Sequence, residues 1–363
     1  MNRHLSKFLL NIFCPARMKT LKELLKSQYY SRDQLLEKQN AKFLKLIRHA
    51  RINVPHYRKI LENASIKSID DITSVPFLTK EIIQNNRTDL KAGNLSAYRF
   101  QHNATGGSTG EKLKYFSDKN ARRPAFQMRN NMWAGWKIGE KQVKLWGSFY
   151  DLSRTQGLDK KIKNFLVYRT LILSSYNMSE ADMHDYRLKI NRYKPSLITG
   201  YASALYLISR FIRDNKLYVF SPRGIISSAE NLQEHQRRII ESVFQCPVLD
   251  RYGCREVGNI AHECQQQNGL HINAEQLIVE VVNEKGKVCK PGEIGEIVVT
   301  DLNNLVFPFI RYRIGDLGVL TNRQCACGRG LPLIDKVEGR VWDVIVGTNG
   351  NRMIGALWHI VKN

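Results

Sequence analysis

The sequence predicts an α/β fold, and three observations support this prediction. Between about residues 124 and 251, stretches with helical apolar spacing alternate with short apolar runs that are typical of buried strands. From about residue 252 onward the chain is rich in turns and in alternating, strand-like segments. The chain has 363 residues, 43% hydrophobic and 25% charged, which excludes a mainly disordered protein and suits one large domain or two domains. We therefore expect sheets with flanking helices and a β-rich portion.

Residues 1–95 are predicted to form a helical N-terminal segment that packs on the main domain. Apolar residues recur at helical spacing from Leu21 to about Asn63. Further along, Thr79 is suited to cap a short helix that begins at Lys80, because its hydroxyl can accept a hydrogen bond from a free N–H of the first turn.

Residues 96–338 are predicted to form the main domain. We expect its strands at 143–149, 197–200, 224–227, 247–250, 276–282 and 295–300. We expect its helices at 124–137, 182–193, 202–215 and 230–244. A hairpin turn is expected at 284–287, and residues 344–346 and 353–354 are expected to pair as a short ribbon.

The chain is strongly basic, since 56 Lys and Arg against 33 Asp and Glu give a formal net charge of +23. Such an excess favours nucleic acid, anionic lipid or a phosphate-rich substrate, although a merely basic surface is the plain alternative. The sequence contains no basic helix with interleaved aromatic residues, so we do not expect nucleic acid as a partner.

The first thirty residues interleave basic side chains with apolar ones, among them Leu5, Phe8 and Ile12. A basic amphipathic helix on a membrane surface is one interpretation, but a helix packed on the domain is favoured. The longest apolar stretch near the start is too short for a membrane span or for the core of a signal peptide. A cytoplasmic protein is therefore expected.

Seven cysteines, an odd number without an export signal, argue against a disulfide framework and favour thiols or metal ligands. Cys264, His271, Cys325 and Cys327 could supply the four ligands of a closed, structural Zn²⁺ site, with Cys254 and His262 in reserve. The alternative is two ordinary buried thiols and a surface Cys-Ala-Cys turn.

A loop rich in glycine and hydroxyl residues lies at 105–110, with Lys112 close behind. Its backbone N–H groups and hydroxyls could wrap phosphate oxygens. It is not a Walker loop, which would need Gly at the position of Glu111 and Ser or Thr at the position of Leu113. Taken alone, the segment is equally a solvated turn.

Four segments follow one another in an informative order, namely 105–112, 252–256, 312–316 and 339–343. Together they resemble the serial motifs of the adenylate-forming enzymes. The segments 44–58, 75–80 and 263–272 narrow the resemblance to the phenylacetate-coenzyme A ligase-like family, including its group associated with capsular polysaccharide clusters. The resemblance extends from about residue 35 to the end of the chain.

This resemblance implies that ATP and a carboxylate form an acyl-adenylate and pyrophosphate, after which the acyl group passes to a thiol. Attack on the α-phosphorus requires neutralisation of the triphosphate charge, so a hydroxyl-rich loop, Mg²⁺ and positive side chains suit the reaction. The implied cofactors are ATP, Mg²⁺, coenzyme A or a carrier phosphopantetheine, and structural Zn²⁺. The implied partners are a small carboxylic acid, coenzyme A or an acyl carrier, and a second copy of the chain.

By the same resemblance, individual residues receive roles. Lys112, Arg255 and Glu256 would be catalytic, Glu256 by helping to hold Mg²⁺. Those that would bind the nucleotide are Thr105, Gly106, Gly107, Ser108, Thr109, Gly110, Ser228, Ala229, Glu230, Tyr252, Gly253, Glu256, Asp316 and Arg340. Asp316 would accept hydrogen bonds from both ribose hydroxyls. Trp146, Phe149 and Tyr201, near Ser228, would line the acid pocket.

Each role has a plainer alternative. Tyr252 is equally suited to be a core aromatic residue, Glu256 an acid at a helix N-terminus and Asp316 a turn residue after glycine. Only the four motifs together favour a nucleotide site.

Three departures from the family pattern stand out. Arg255 occupies a position where Ser or Thr usually touches the α-phosphate, and we expect its guanidinium to take over that contact. Trp342 stands where the hinge aspartate is usual. The family continues into a mobile domain that bears a lysine, so we assign 339–363 to the hinge and the start of a truncated C-terminal domain.

The leading hypothesis is an AMP-forming enzyme that activates a small carboxylic acid, with an aromatic acid as one candidate, in capsular or exopolysaccharide biosynthesis. The alternative is a truncated, weak or inactive homologue that serves as a nucleotide-binding or scaffold protein.

Overall fold

The computed structural model describes residues 3–104, 113–119, 123–147, 167–176, 178–340, 344–346 and 352–354. These residues group into two compact units. The first unit comprises Met1–Lys26, Pro124–Gly253 and His262–Asn268. The second comprises Ser27–Arg123, Cys254–Ala261 and Gly269–Asn363. The domain bounds expected from the sequence stay a prediction.

The helices of the described residues are α1 (Arg3–Phe13), α2 (Pro15–Ser27), α3 (Arg32–Asn53), α4 (Pro55–Ile60), α5 (Lys80–Asn85), α6 (Arg123–Trp133), α7 (Glu180–Tyr193), α8 (Ala202–Asp214) and α9 (Glu234–Phe244). Short 3₁₀ helices cover Ile69–Ser74 and Leu95–Ala97. The strands are β1 (Phe100–Ala104), β2 (Lys114–Asp118), β3 (Gln142–Trp146), β4 (Thr170–Ser174), β5 (Leu197–Tyr201), β6 (Gly224–Ser228), β7 (Val248–Cys254), β8 (Gly258–Glu263), β9 (Leu270–Ile272), β10 (Leu277–Val282), β11 (Ile294–Asp301), β12 (Tyr312–Thr321), β13 (Leu333–Arg340), β14 (Val344–Val346) and β15 (Arg352–Ile354).

The first unit is built on parallel strands in the order β4-β3-β5-β6-β7. Because side chains alternate across a strand, Ile225 and Val248 join a core with α7, α8 and α9. Their neighbours Ile226 and Leu249 join a second core with α1, α2 and α6. Helices therefore cover both faces, which explains why these strands read as continuous apolar runs.

The second unit contains an antiparallel portion in the order β10-β11-β12-β13-β9 and a separate β1-β2 pair. A buried ion pair joins Arg311 to Glu280, with Nη2 donating to Oε1 over 2.9 Å. The same guanidinium donates to the carbonyl oxygens of Thr73 and Val75. This pair thereby holds the segment after the first 3₁₀ helix against the antiparallel strands.

The predicted α/β class is confirmed, and most predicted elements are present. The Thr79 hydroxyl accepts a hydrogen bond from the Ile82 N–H at 3.2 Å, so the predicted cap is confirmed. The ribbon of β14 and β15 is also confirmed.

Two predicted helices were too long. The helix expected at 230–244 begins at Glu234, because the carboxylate of Glu230 instead accepts hydrogen bonds from Ser203. The helix expected at 124–137 ends at Trp133, close to Gly135 with its left-handed φ of 85°. The strand expected at 143–149 ends at Trp146, and Gly147 already lies outside it, whereas residues 148 and 149 are not among those described. None of the described helices combines the length and the apolar character needed to cross a membrane.

Candidate active site

The glycine-rich loop at 105–112 lies outside the described residues, so Thr105, Gly106, Gly107, Ser108, Thr109, Gly110 and Lys112 keep their predicted roles as predictions. The strands that flank it are an antiparallel pair, with Ala104 opposite Lys114. The two described strands on either side of this segment are therefore paired with each other. Tyr115 follows Lys114 in β2, and its hydroxyl donates to the carbonyl oxygen of Arg255 over 2.6 Å. The strand that leaves the loop is thus fixed to the second predicted motif.

Glu256 is the best-fixed acid of that motif, and its side chain is only 5% exposed. The Tyr312 hydroxyl donates to its Oε1 over 2.9 Å. Burial and the nearby Glu256 raise the pKa of Tyr312 far above its usual range, so Tyr312 stays a neutral donor. Arg123 donates to the carbonyl oxygen of Glu256 and forms a 2.9 Å ion pair with the buried Asp301. A buried carboxylate with a fixed orientation results.

Asp316 lies within β12, directly after Gly315, whose φ is 87°. In the pairing of β12 with β13, Asp316 is opposite Arg340, so the two residues predicted near the ribose are backbone neighbours. Glu296 and Arg313 form a 2.9 Å ion pair close by. Burial raises the pKa of Glu296, and Asp316 adds to this shift as a like charge. The side chain of Arg340 lies outside the described part of the chain.

In the first unit, predicted pocket residues lie at the carboxyl ends of parallel strands. Trp146 ends β3, Tyr201 ends β5 and Ser228 ends β6, and their registers place them side by side. The ring centroids of Trp146 and Tyr201 are 4.6 Å apart. Ser228 lies opposite Arg251 in β7. We call these four residues the strand-end row. The fourth predicted pocket residue, Phe149, is not among the described residues.

Arg251 is absent from the predicted site, although a charged pair, Asp250 and Arg251, directly after the apolar run 247–249 was a usable signal. Its Nε donates to the Ser228 hydroxyl over 2.9 Å, and its guanidinium lies 5.9 Å from the Trp146 ring centroid. Burial lowers its pKa to about 10, so it remains charged at neutral pH.

The other predicted nucleotide residues have simpler surroundings. Ala229 adopts a left-handed backbone with φ of 69°, which turns the chain after β6. The Glu230 carboxylate accepts from the backbone N–H and the hydroxyl of Ser203, at 2.8 and 3.0 Å, near the start of α8. Tyr252 and Gly253 continue β7 and are partly buried and exposed, respectively. Their predicted roles at the nucleotide stay predictions.

The four residues predicted to bind Zn²⁺ lie close together. The ligand atoms of Cys264, His271, Cys325 and Cys327 all lie within 4.8 Å of one another. The Cys327 sulfur is 3.3 Å from His271 Nε2. Although burial opposes it, hydrogen bonds from Arg329 and Cys325 lower the pKa of Cys327, which favours the thiolate.

The reserve ligands are placed differently. Cys254 lies beside Glu256, and burial together with this carboxylate raises its pKa well above the usual value. The His262 ring is 5.9 Å from the Trp133 ring, edge to face. Neither residue belongs to the metal-ligand cluster found among the described residues.

Comparison with known sequences gives several relatives and no matching family model. Protein CapK of Staphylococcus aureus is 26% identical over 303 residues, which cover 80% of this chain and 64% of CapK. The phenylacetate-coenzyme A ligase of Thermus thermophilus is 24% identical over 338 residues, which cover 87% of this chain and 72% of that enzyme. The phenylacetate-coenzyme A ligase of Escherichia coli is 27% identical over 329 residues, which cover 86% of this chain and 73% of that enzyme. The chain thus spans about two thirds of the length of these relatives.

Solved structures show the same fold. A 2-hydroxyisobutyryl-CoA ligase in the postadenylation state with 2-HIB-AMP superposes with a TM-score of 0.75 at 19% identity, covering 90% of this chain and 71% of that one. The same enzyme with 2-HIB-AMP and CoA in the thioesterification state gives a TM-score of 0.70, covering 89% and 71%. In sequence, this chain is thus similar to CapK and to phenylacetate-coenzyme A ligases. In fold, it is similar to a 2-hydroxyisobutyryl-CoA ligase.

Proposed function

We propose that this chain carries out, or contributes the large domain to, ATP-dependent and AMP-forming activation of a small carboxylic acid. The acyl group then passes to coenzyme A or to a carrier thiol. The observation that carries the proposal is the arrangement around Glu256, a buried acid oriented by Tyr312 within the second motif of an adenylate-forming fold. The sequence relatives named phenylacetate-coenzyme A ligases support the same reaction class.

Different predicted residues would bind different parts of ATP and its Mg²⁺. Loop 105–112 and Lys112 would surround the triphosphate, and Arg255 would contact the α-phosphate in place of a hydroxyl. Asp316 would accept both ribose hydroxyls, and Tyr252 would stack on the base. Glu256 would hold Mg²⁺, for which a buried and oriented carboxylate is a fitting ligand. The bound ion would neutralise charge on the triphosphate.

The acid would bind at the strand-end row, where the rings of Trp146 and Tyr201 offer an apolar surface. Ligands of open α/β sheets bind at the carboxyl ends of the strands, which is where the row lies. Aromatic side chains suit a flat or aromatic acid.

The test is calorimetric titration of the chain with ATP and Mg²⁺, beside the Asp316→Ala variant. We expect the parent to bind and the variant to bind at least about tenfold more weakly, since two hydrogen bonds to a carboxylate are lost. Asp335→Ala, a change at an exposed aspartate paired with Arg323, is the matched control and should bind as the parent does. A folded parent without affinity for ATP would refute the proposal.

Pyrophosphate release with a panel of carboxylic acids then tests the chemistry. Pyrophosphate release that occurs with only one class of carboxylic acid would support the proposal that the chain is an enzyme. ATP binding without release for any acid would favour the alternative of a nucleotide-binding or scaffold protein in polysaccharide biosynthesis.

The converging Cys and His side chains are proposed to hold a structural Zn²⁺. Three sulfurs and one imidazole nitrogen form a typical closed set, and such a site stabilises the fold without taking part in the reaction. Elemental analysis should find one zinc per chain, lost in Cys327→Ser and retained in Cys289→Ser. A zinc-free parent with unchanged thermal stability would contradict this assignment.

A further inference from the structure

The strand-end row places one buried positive charge among aromatic rings. Trp146, Tyr201 and Ser228 end β3, β5 and β6, and Arg251 lies opposite Ser228 within β7. The guanidinium of Arg251 is close enough to the Trp146 ring for a cation–π contact.

Arg251 has a donor that the described residues leave unsatisfied. Its side chain is 7% exposed, and Nε is satisfied by the Ser228 hydroxyl. Its Nη1 is buried without a hydrogen-bond partner among the described residues. A buried N–H of a charged group without an acceptor is strongly unfavourable, so an acceptor supplied by a ligand would be favoured.

The neighbouring acid does not fill this role. Asp250 and Arg251 are consecutive in β7, so their side chains point to opposite faces of the strand. The Asp250 backbone N–H donates to Glu263, which in turn forms a two-pronged ion pair with Arg237. No ion pair joins Arg251 to a carboxylate within the part of the chain that the structure describes. Asp250 attracts the charge of Arg251 without an ion pair, since its Oδ1 accepts from the Arg251 backbone N–H. The Nη1 donor of Arg251 therefore stays available to a ligand.

We infer that the acid bound at the strand-end row carries a second anionic group, and that Arg251 binds this group through Nη1. The inference rests on the proposed function and specifies its substrate class as a dicarboxylic acid or a carboxylic acid with another anionic substituent. The flat or aliphatic body of the acid would lie against Trp146 and Tyr201. A guanidinium is well suited to bind a carboxylate, because its donors match the two oxygens.

Arg251 would bind a group of the acid other than the one that reacts. The carboxylate that is activated must be free to reach the α-phosphorus and later a thiol, so it cannot be the group that stays bound to Arg251. Arg251 would therefore determine specificity, whereas the reaction itself would depend on the nucleotide motifs.

The test compares acids of matched shape and different charge. Binding is measured calorimetrically for 4-carboxyphenylacetate against 4-methylphenylacetate, and for glutarate against pentanoate, with the parent, Arg251→Met and Arg251→Lys. We expect the parent to bind at least one dianion tenfold or more tightly than its monoanionic partner. Arg251→Met should abolish that preference and leave the monoanion unchanged, whereas Arg251→Lys should keep part of it. Arg210→Met, at an exposed arginine of α8, is the control and should behave as the parent.

Folding is monitored by thermal unfolding. Arg251→Met should stay folded with a stability close to that of the parent, because it removes a buried donor without a partner but also the hydrogen bond to Ser228. A parent without preference for either dianion would overturn the inference, and so would an equal loss of both acids in Arg251→Met. ATP binding that depends on Asp316 does not involve Arg251. If ATP binding is present and the preference for dianions is absent, this inference fails and the proposed function stands. If ATP binding is absent as well, the proposed function fails.

Discussion

At the scale of single residues, the site depends on a few buried polar groups whose partners are fixed. Tyr312 and Glu256 illustrate this, because neither side chain reaches solvent to any extent and each supplies what the other lacks. The hydroxyl donates, and the carboxylate accepts with one oxygen. The orientation of Glu256 is therefore set before any ligand arrives.

Tyr312→Phe tests this orientation. Loss of a buried hydrogen bond to a charged acceptor should lower the free energy of unfolding by about 1.5–3 kcal/mol and weaken ATP binding in the presence of Mg²⁺. Tyr218→Phe, at an exposed tyrosine, is the matched control. Chemical denaturation and calorimetry would measure both effects. Unchanged stability together with unchanged affinity would show that the hydrogen bond has no part in positioning Glu256.

Asp250 gives a prediction about pH. Burial, with a smaller contribution from the nearby Glu263, raises its pKa to about 7. The folded chain therefore keeps a proton on Asp250 that the unfolded chain releases from about pH 4 upward. The stability that the protonated Asp250 contributes is lost as the pH rises through 7. Relative to Asp250→Asn, the parent should lose on the order of 2–4 kcal/mol between pH 4.5 and pH 8. Urea denaturation across this range would detect it, and a constant difference would contradict it.

At the scale of elements, buried charge pairs connect segments that are distant in the sequence. Arg311 and Glu280 belong to different parts of the antiparallel portion, and Arg311 also donates to the carbonyl oxygens of Thr73 and Val75. Phe77 covers the guanidinium, with its ring centroid at 4.1 Å. The pair therefore joins the N-terminal segment of the second unit to the strands.

Glu280→Gln should be strongly destabilising, by about 3–5 kcal/mol, because it leaves the buried guanidinium without its counter-charge. Replacement of both partners by methionine should recover part of the loss, since no charge is then left unpaired. The exposed pair of Arg323 and Asp335 provides the comparison, and Asp335→Asn should change stability by no more than about 1 kcal/mol. Similar effects at the two pairs in urea denaturation would argue against the role of burial.

At the scale of the whole molecule, the net charge of +23 favours association with polyanions, and coenzyme A carries several phosphate charges. We expect the dissociation constant of coenzyme A to rise several-fold between 50 and 300 mM salt, because screening weakens long-range attraction. Pantetheine, which lacks the phosphates, is the control and should be insensitive to salt. Equal salt dependence of the two ligands would show that the basic surface does not attract coenzyme A, the proposed thiol acceptor.

The amino-acid sequence alone predicts the α/β class, the short strands between residues 143 and 251 and the order of the motifs proposed to bind the nucleotide. These features are local, since apolar period, capping by Thr79 and turn residues act over a few positions. Helix ends were less certain, and the helix expected from Glu230 begins only at Glu234. There a contact with Ser203, some 27 residues away, overrides local preference.

Which side chains are in contact follows from the assembled fold and not from the sequence pattern. The fold aligns Trp146, Tyr201 and Ser228 with Arg251 through the register of parallel strands, and it closes the distance between His271 and Cys327. Strand register and burial depend on contacts between residues far apart in the chain, so no spacing in the sequence records them. For the same reason Arg251 is one more basic residue in the sequence, and its unsatisfied donor becomes visible only once the strands around it are assembled.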